Sequence, residues 1–99
     1  MDIKELTARM HEFVRSKGFY EADSAREQTS KNLAISLALE AGEVLEHFQW
    51  REHAIDKDEL AGELADVALY LMQLASVNNI DLEAAILAKL GKNKDRTWT

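Results

Sequence analysis

The chain has 99 residues, no cysteine and no proline, with 46% hydrophobic and 30% charged residues and a formal net charge of −6. That length supports one domain over residues 1–99, without disulfides or thiolate zinc sites; only about 60–65% of the unfolded surface is buried at this size, so self-association is expected. The acidic balance argues against a nucleic acid polymer as partner, and the charged start, Met1 to Arg9, has no apolar run suited to a signal peptide or membrane span, so a cytoplasmic protein without a membrane partner is expected.

Ala, Leu, Glu and Lys dominate and strand signals are absent, which predicts helices throughout. A first helix from about Asp2 to Lys17 places Ile3, Leu6, Met10, Phe13 and Val14 at helical spacing, and Gly18 is positioned to stop it. Phe19 to Thr29 is polar and aperiodic, a loop. Ser30 is the expected cap of a second helix running to Trp50 or Glu52. Its apolar arc is Leu33, Leu37, Ala41, Val44, Leu45 and Phe48, with Glu40 at the edge and Glu43 one step further round. Asp56 or Asp58 caps a third helix, from about Glu59 to Val77, which Asn78 and Asn79 end. There Glu63 falls inside the apolar face made by Leu60, Leu64, Val67, Tyr70, Leu71 and Leu74, and Asp66 borders it. The opposite face of this helix, Ala61, Ala65, Ala68, Leu69 and Met72, is apolar too, as in a helix that is central or shared between subunits. Asp81 caps a fourth helix to about Leu90, and Gly91 opens a polar tail. The fold class is all-α, a four-helix bundle.

The two acid pairs, Glu40 with Glu43 and Glu63 with Asp66, repeat one spacing of three residues. Side chains three apart share a helix face, so two facing pairs offer up to about eight oxygens to a hard cation, Mg²⁺ or as a substitute Mn²⁺. Unpaired buried carboxylates are costly and need cations, donors or water. The same spacing also suits a solvated seam or structural salt bridges, in which case the chain is a non-catalytic helical interaction module. A di-iron bundle requires Glu-x-x-His, and neither His47 nor His53 lies three residues after a glutamate. His47, one turn beyond Glu43, is expected to be solvent-exposed, and His11 and His53 carry no signal.

The run Lys31-Asn32-Leu33-Ala34-Ile35-Ser36-Leu37-Ala38-Leu39-Glu40-Ala41-Gly42-Glu43-Val44-Leu45-Glu46-His47-Phe48-Gln49-Trp50, followed by Glu63-Leu64-Ala65-Asp66-Val67-Ala68-Leu69-Tyr70, closely resembles the MazG-like all-α nucleoside triphosphate pyrophosphohydrolases, most of all their small single-domain branch that includes the dCTP pyrophosphatases. The resemblance implies a homodimer or homotetramer that converts a nucleoside triphosphate to the monophosphate and pyrophosphate, with Mg²⁺ held by Glu40, Glu43, Glu63 and Asp66. Glu40 or Glu43 is the expected general base. Lys89 and Asn93 match positions that contact the nucleotide or its phosphates, Arg96 is placed to clamp the departing phosphates, and Asn32 and Tyr70 face the base or sugar. Trp50 is the expected stacking partner of the base. Before the second helix the family brings in an aromatic and a histidine, and the matching positions here are Ser24 and Gln28. Phe19 or Tyr20 is available as a replacement aromatic and the Gln28 amide as a reader of a base edge, so the preferred base stays open.

Overall fold

The computed structural model describes residues 1–54 and 56–98. Among these the chain forms four α-helices and no strand: α1 (Ile3–Ser16), α2 (Ser30–Glu46), α3 (Lys57–Val77) and α4 (Leu82–Asp95). Each opens on a side-chain cap that satisfies an orphan backbone N–H. Asp2 accepts from Glu5 N, Thr29 from Asn32 N, Asp56 from Asp58 N and Glu59 N, and Asp81 from Ala84 N. The cap of α2 is thus Thr29 rather than Ser30, which instead accepts a hydrogen bond from Asn78 Nδ2 at 3.0 Å. Gly18, with φ of 74°, ends α1 as its position suggests.

Two helix ends differ from the sequence reading. α2 stops at Glu46, short of Trp50, where i→i+4 bonding gives way to i→i+3 bonding. Single turns follow instead, with His47 N bonded to Val44 O, Phe48 N to Leu45 O and Arg51 N to Phe48 O, and the chain reverses at Trp50 with φ of 69°. α4 runs straight through Gly91 to Asp95. A glycine weakens a helix interior by about 1 kcal/mol but ends it only in a left-handed conformation, and Lys92 and Lys94 in the last turn complement the helix dipole.

α2 and α3 form an antiparallel hairpin, the most extensive pairing in the molecule, pinned at one end by the Asn78–Ser30 bond. α1 and α4 lie on α3, and among the described residues no Cα of α4 comes within 8 Å of a Cα of α2. α3 is long and apolar enough by composition to cross a membrane, yet it is the helix on which the other three pack, and Glu63 and Asp66 stand in its middle.

The core is sparse. Among the described residues Met10, Val14, Leu33, Met72 and Ala75 are the buried apolar ones, whereas Ile35, Leu39, Leu45, Leu64, Leu69 and Leu87 are exposed. The chain exposes 7839 Å² for a mass of 11.2 kDa, against about 5,700 Å² for a globular monomer of that mass. Its radius of gyration, 15.9 Å, also exceeds the roughly 12.6 Å of a compact chain this long.

Candidate functional site

The antiparallel pairing of α2 and α3 sets the register of the acids. Glu40 and Glu43 lie on α2 and Glu63 on α3, and one carboxylate oxygen from each falls within 4.8 Å of the others. Glu40 and Glu63 are half-buried and Glu43 is exposed. Glu40 Oε2 and Glu63 Oε2 are buried without a hydrogen-bond partner. Carboxylates so placed do not all ionise easily. Burial, then contact with the Glu43 carboxyl, then the charges of Glu43, Asp66 and Glu63 push the Glu40 carboxyl above its ordinary range. For Glu63 the Glu43 contact comes first, followed by burial and the charges of Glu43 and Asp66, with His47 opposing. Asp66 is exposed, one turn along α3, and acts on the cluster through its charge.

His47 differs from its expected exposure. It is 8% exposed, its Nε2 stands 4.0 Å from Glu63 Oε1, and its buried Nδ1 has no partner. The helix ends one residue before it, and the turn tucks the ring behind the acids. The available signal was its spacing, four residues after Glu43 and seven after Glu40, which puts it on the acids' own face.

A pocket of about 360 Å³ opens one turn from the cluster, lined by Phe19, Gln28, Asn32, Ser36 and Tyr70 among others. Ser36 precedes Glu40 by four residues and Tyr70 follows Asp66 by four, so pocket and acids share the α2–α3 groove. The volume suits a small-molecule site. Asn32 helps shape it, its Nδ2 donating to Glu27 O at 3.0 Å, so the side chain clasps the loop before α2. Of the replacement aromatics, Phe19 lines the pocket, while Tyr20 stands behind it in contact with His11 and Gln73. A larger pocket, about 460 Å³, lies between the start of α1 and the α3–α4 turn, and none of the four acids lines it.

The remaining expected site residues are not gathered here by one chain. Trp50 is 91% exposed beyond the end of α2 and does not line the pocket. Lys89, Asn93 and Arg96 belong to α4 and its end, and α4 keeps its Cα atoms more than 8 Å from those of α2. There Trp98 Nε1 donates to Asn93 O at 3.1 Å, the Arg96 guanidinium lies 4.3 Å from the Trp98 ring centre, and Asn93 Oδ1 is buried without a partner.

Comparison with known proteins identifies relatives of the fold. A sequence model of the MazG-like family matches residues 35–98, a stretch that includes all four acids. The dCTP pyrophosphatase 1 of Rattus norvegicus is 35% identical over 75 residues, 67% of this chain and 44% of that protein; the Homo sapiens dCTP pyrophosphatase 1 gives the same identity over the same length and shares. The chain therefore spans less than half the length of these relatives. The crystal structure of a pyrophosphatase from Archaeoglobus fulgidus superposes with a TM-score of 0.75 at 33% identity, covering 94% of this chain and 89% of that one.

Proposed function

The chain belongs to the MazG-like family, and on that footing we propose that it is a Mg²⁺-dependent nucleoside triphosphate pyrophosphohydrolase, releasing pyrophosphate and leaving the monophosphate. The observation that carries this reading is the cluster of Glu40, Glu43 and Glu63 oxygens, two of them buried and unpartnered, beside a pocket of nucleoside size. Orphaned buried oxygens are costly, and hard oxygen donors suit Mg²⁺, or Mn²⁺ in its place. Glu40, Glu43, Glu63 and Asp66 would hold the ion, which when bound neutralises phosphate charge and lowers the pKa of coordinated water.

The other roles fall to the chain's own residues. The groove between α2 and α3 aligns the triphosphate along the acids and the nucleoside toward Asn32, Phe19 and Tyr70. A water oxygen bonds to the α-phosphorus as the bridging bond to the β-phosphate breaks, and Glu40 or Glu43 takes up the water's proton. His47 stands behind Glu63 with Nε2 4.0 Å from its carboxylate and acts on it through charge, favouring the ionised form. The names of the relatives make dCTP the first substrate to try, in a cytoplasmic setting where triphosphate pools are cleared or balanced.

The active species we propose is a homo-oligomer, a dimer or a dimer of dimers. An excess exposed area of roughly 2,000 Å² per chain matches what an obligate interface buries. A second copy also offers a route to the acid cluster for Trp50, Lys89, Asn93 and Arg96, none of which lines the neighbouring pocket in its own chain.

A panel of ribo- and deoxyribonucleoside triphosphates with Mg²⁺, resolved by anion exchange, tests the reading. Expected are monophosphate and pyrophosphate, with turnover abolished in Glu40→Gln, Glu63→Gln and Asp66→Asn while helical content by circular dichroism is unchanged. Orthophosphate as product, no turnover, or wild-type rates in all three variants would overturn it and favour an interaction module with structural acids.

A further inference from the structure

The more deeply buried of the two buried polar side chains is Gln73, 3% exposed and outside the acid cluster. A buried amide is costly unless its hydrogens are used. Both are: Gln73 Nε2 donates to Tyr20 Oη at 3.2 Å and to Gln28 Oε1 at 2.8 Å. Gln28 Nε2 donates in turn to Arg26 O at 2.7 Å. At the other end Tyr20 Oη meets His11 Nδ1 at 2.6 Å, and His11 Nε2 meets Ser76 Oγ at 2.7 Å. The chain of bonds ties α1, the loop before α2, and α3 together, and it ends on a side chain lining the proposed nucleoside pocket.

Its polarity follows from its ends. A backbone carbonyl only accepts, so the Arg26 oxygen requires the amino side of the Gln28 amide, which turns the Gln28 oxygen toward Gln73. Gln73 must then present its amino group, leaving its second hydrogen for the Tyr20 oxygen. Tyr20 keeps its own proton available for a neutral His11, whose other nitrogen is then the donor to Ser76. Burial and then the Arg15 charge lower the His11 pKa, which agrees with a neutral ring. Every bond then has one donor and one acceptor, and neither amide can be reversed alone.

A free glutamine amide reads base edges without preference, because a half-turn about its last torsion exchanges donor and acceptor. An amino-bearing edge offers a donor beside an acceptor in one order and an oxo-bearing edge offers them in the other. Gln28, with one hydrogen and one lone pair unused, is held in one of its two orientations from both sides; the Arg26 bond is exposed, where water competes for both groups, so the part-buried bond from Gln73 carries most of the hold. We propose that Gln73 is a positioning residue for base selectivity, fixing the Gln28 amide so that the pocket discriminates amino-bearing from oxo-bearing bases. This rests on the pyrophosphohydrolase reading above. A site built on fixed hydrogen bonds rejects the mismatched partner because its own polar groups are then left unpaired.

The test is kcat/KM for pyrophosphate release from CTP against UTP, and from dCTP against dUTP, in wild type, Gln73→Met and Tyr20→Phe. The wild-type ratio is expected to depart from unity by about tenfold or more. Gln73→Met keeps the volume and removes both donors; the ratio should collapse to within about threefold of unity, through KM for the disfavoured base and with kcat for the favoured one retained. Tyr20→Phe deletes one oxygen, keeps the packing and should give an intermediate ratio, so the test stands even where Gln73→Met does not fold. A merely structural Gln73 predicts a lower melting temperature with the ratio unchanged, and that result, or a wild-type ratio near unity, overturns the inference. No pyrophosphate from any nucleotide in wild type would instead overturn the reading on which it rests.

Discussion

At the scale of single residues, the acid cluster makes stability and function oppose each other. Glu40 and Glu63 have carboxyl pKa values raised above the ordinary range. The folded chain therefore binds more protons than the unfolded one between the unperturbed and the raised values, and without metal its stability falls as pH rises through that window. His11 runs the other way. Its pKa is lowered by burial and by Arg15, so its contribution is present above the unperturbed histidine pKa and is lost as pH falls through the folded value. The difference between wild type and the Glu40→Gln/Glu63→Gln variant isolates the acids. In chelator the variant is expected to melt higher than wild type, by a margin that grows as pH rises from mild acid toward neutrality; with Mg²⁺ the order should reverse. An equal melting temperature across that range would show that the carboxylates do not strain the fold. The two acid pairs were legible in the sequence because a three-residue spacing on a helix is local information. The Gln73–Gln28 bond spans 45 residues and the burial of His47 depends on where α2 stops, so neither could be read from spacing on one helix.

Elements were legible to the extent that their ends carry local chemistry. Asp56 and Asp81 cap α3 and α4 as their chemistry suggests and Gly18 ends α1 with a positive φ, whereas the cap of α2 is Thr29, one residue before the expected Ser30. The C-terminal ends of α2 and α4 were not, since a glycine inside a helix and an uncapped helix end give no such signature. α4 is also the element least held by its own chain. It is 14 residues long with no buried residue, and a helix of that length is marginal in water by itself. Its cap should therefore matter more than the others. Asp81→Ala is expected to cost about 1 kcal/mol of helix stability, read as faster amide hydrogen exchange confined to α4 with α2 and α3 unchanged. Uniform acceleration in all four helices would mean that α4 opens only with the whole fold.

For the whole molecule, the decisive quantity is the surface that one chain leaves uncovered. α3 packs Leu60, Glu63, Val67, Tyr70 and Leu74 toward its neighbours as half-buried residues and leaves Ala61, Ala65, Ala68 and Leu69 exposed, the two-sided pattern visible in the sequence. α4 adds Leu87 and Leu90 to the exposed apolar surface. Leu69 is 41% exposed in the isolated chain, so Leu69→Lys costs that chain little, because a lysine stem can lie on apolar surface with its ammonium in water. Within an interface the same ammonium would lose its water without a partner. On the proposed assembly, the variant is therefore expected to sediment as a folded monomer at concentrations where wild type sediments as a larger species. Its pyrophosphate release should fall by at least tenfold although all four acids remain, since Lys89 and Asn93 would no longer be supplied to the cluster by a neighbour. A variant that stays associated and active would show that this face is not the one that pairs. A monomer with full activity would show that one chain suffices and that no neighbour supplies residues to the site.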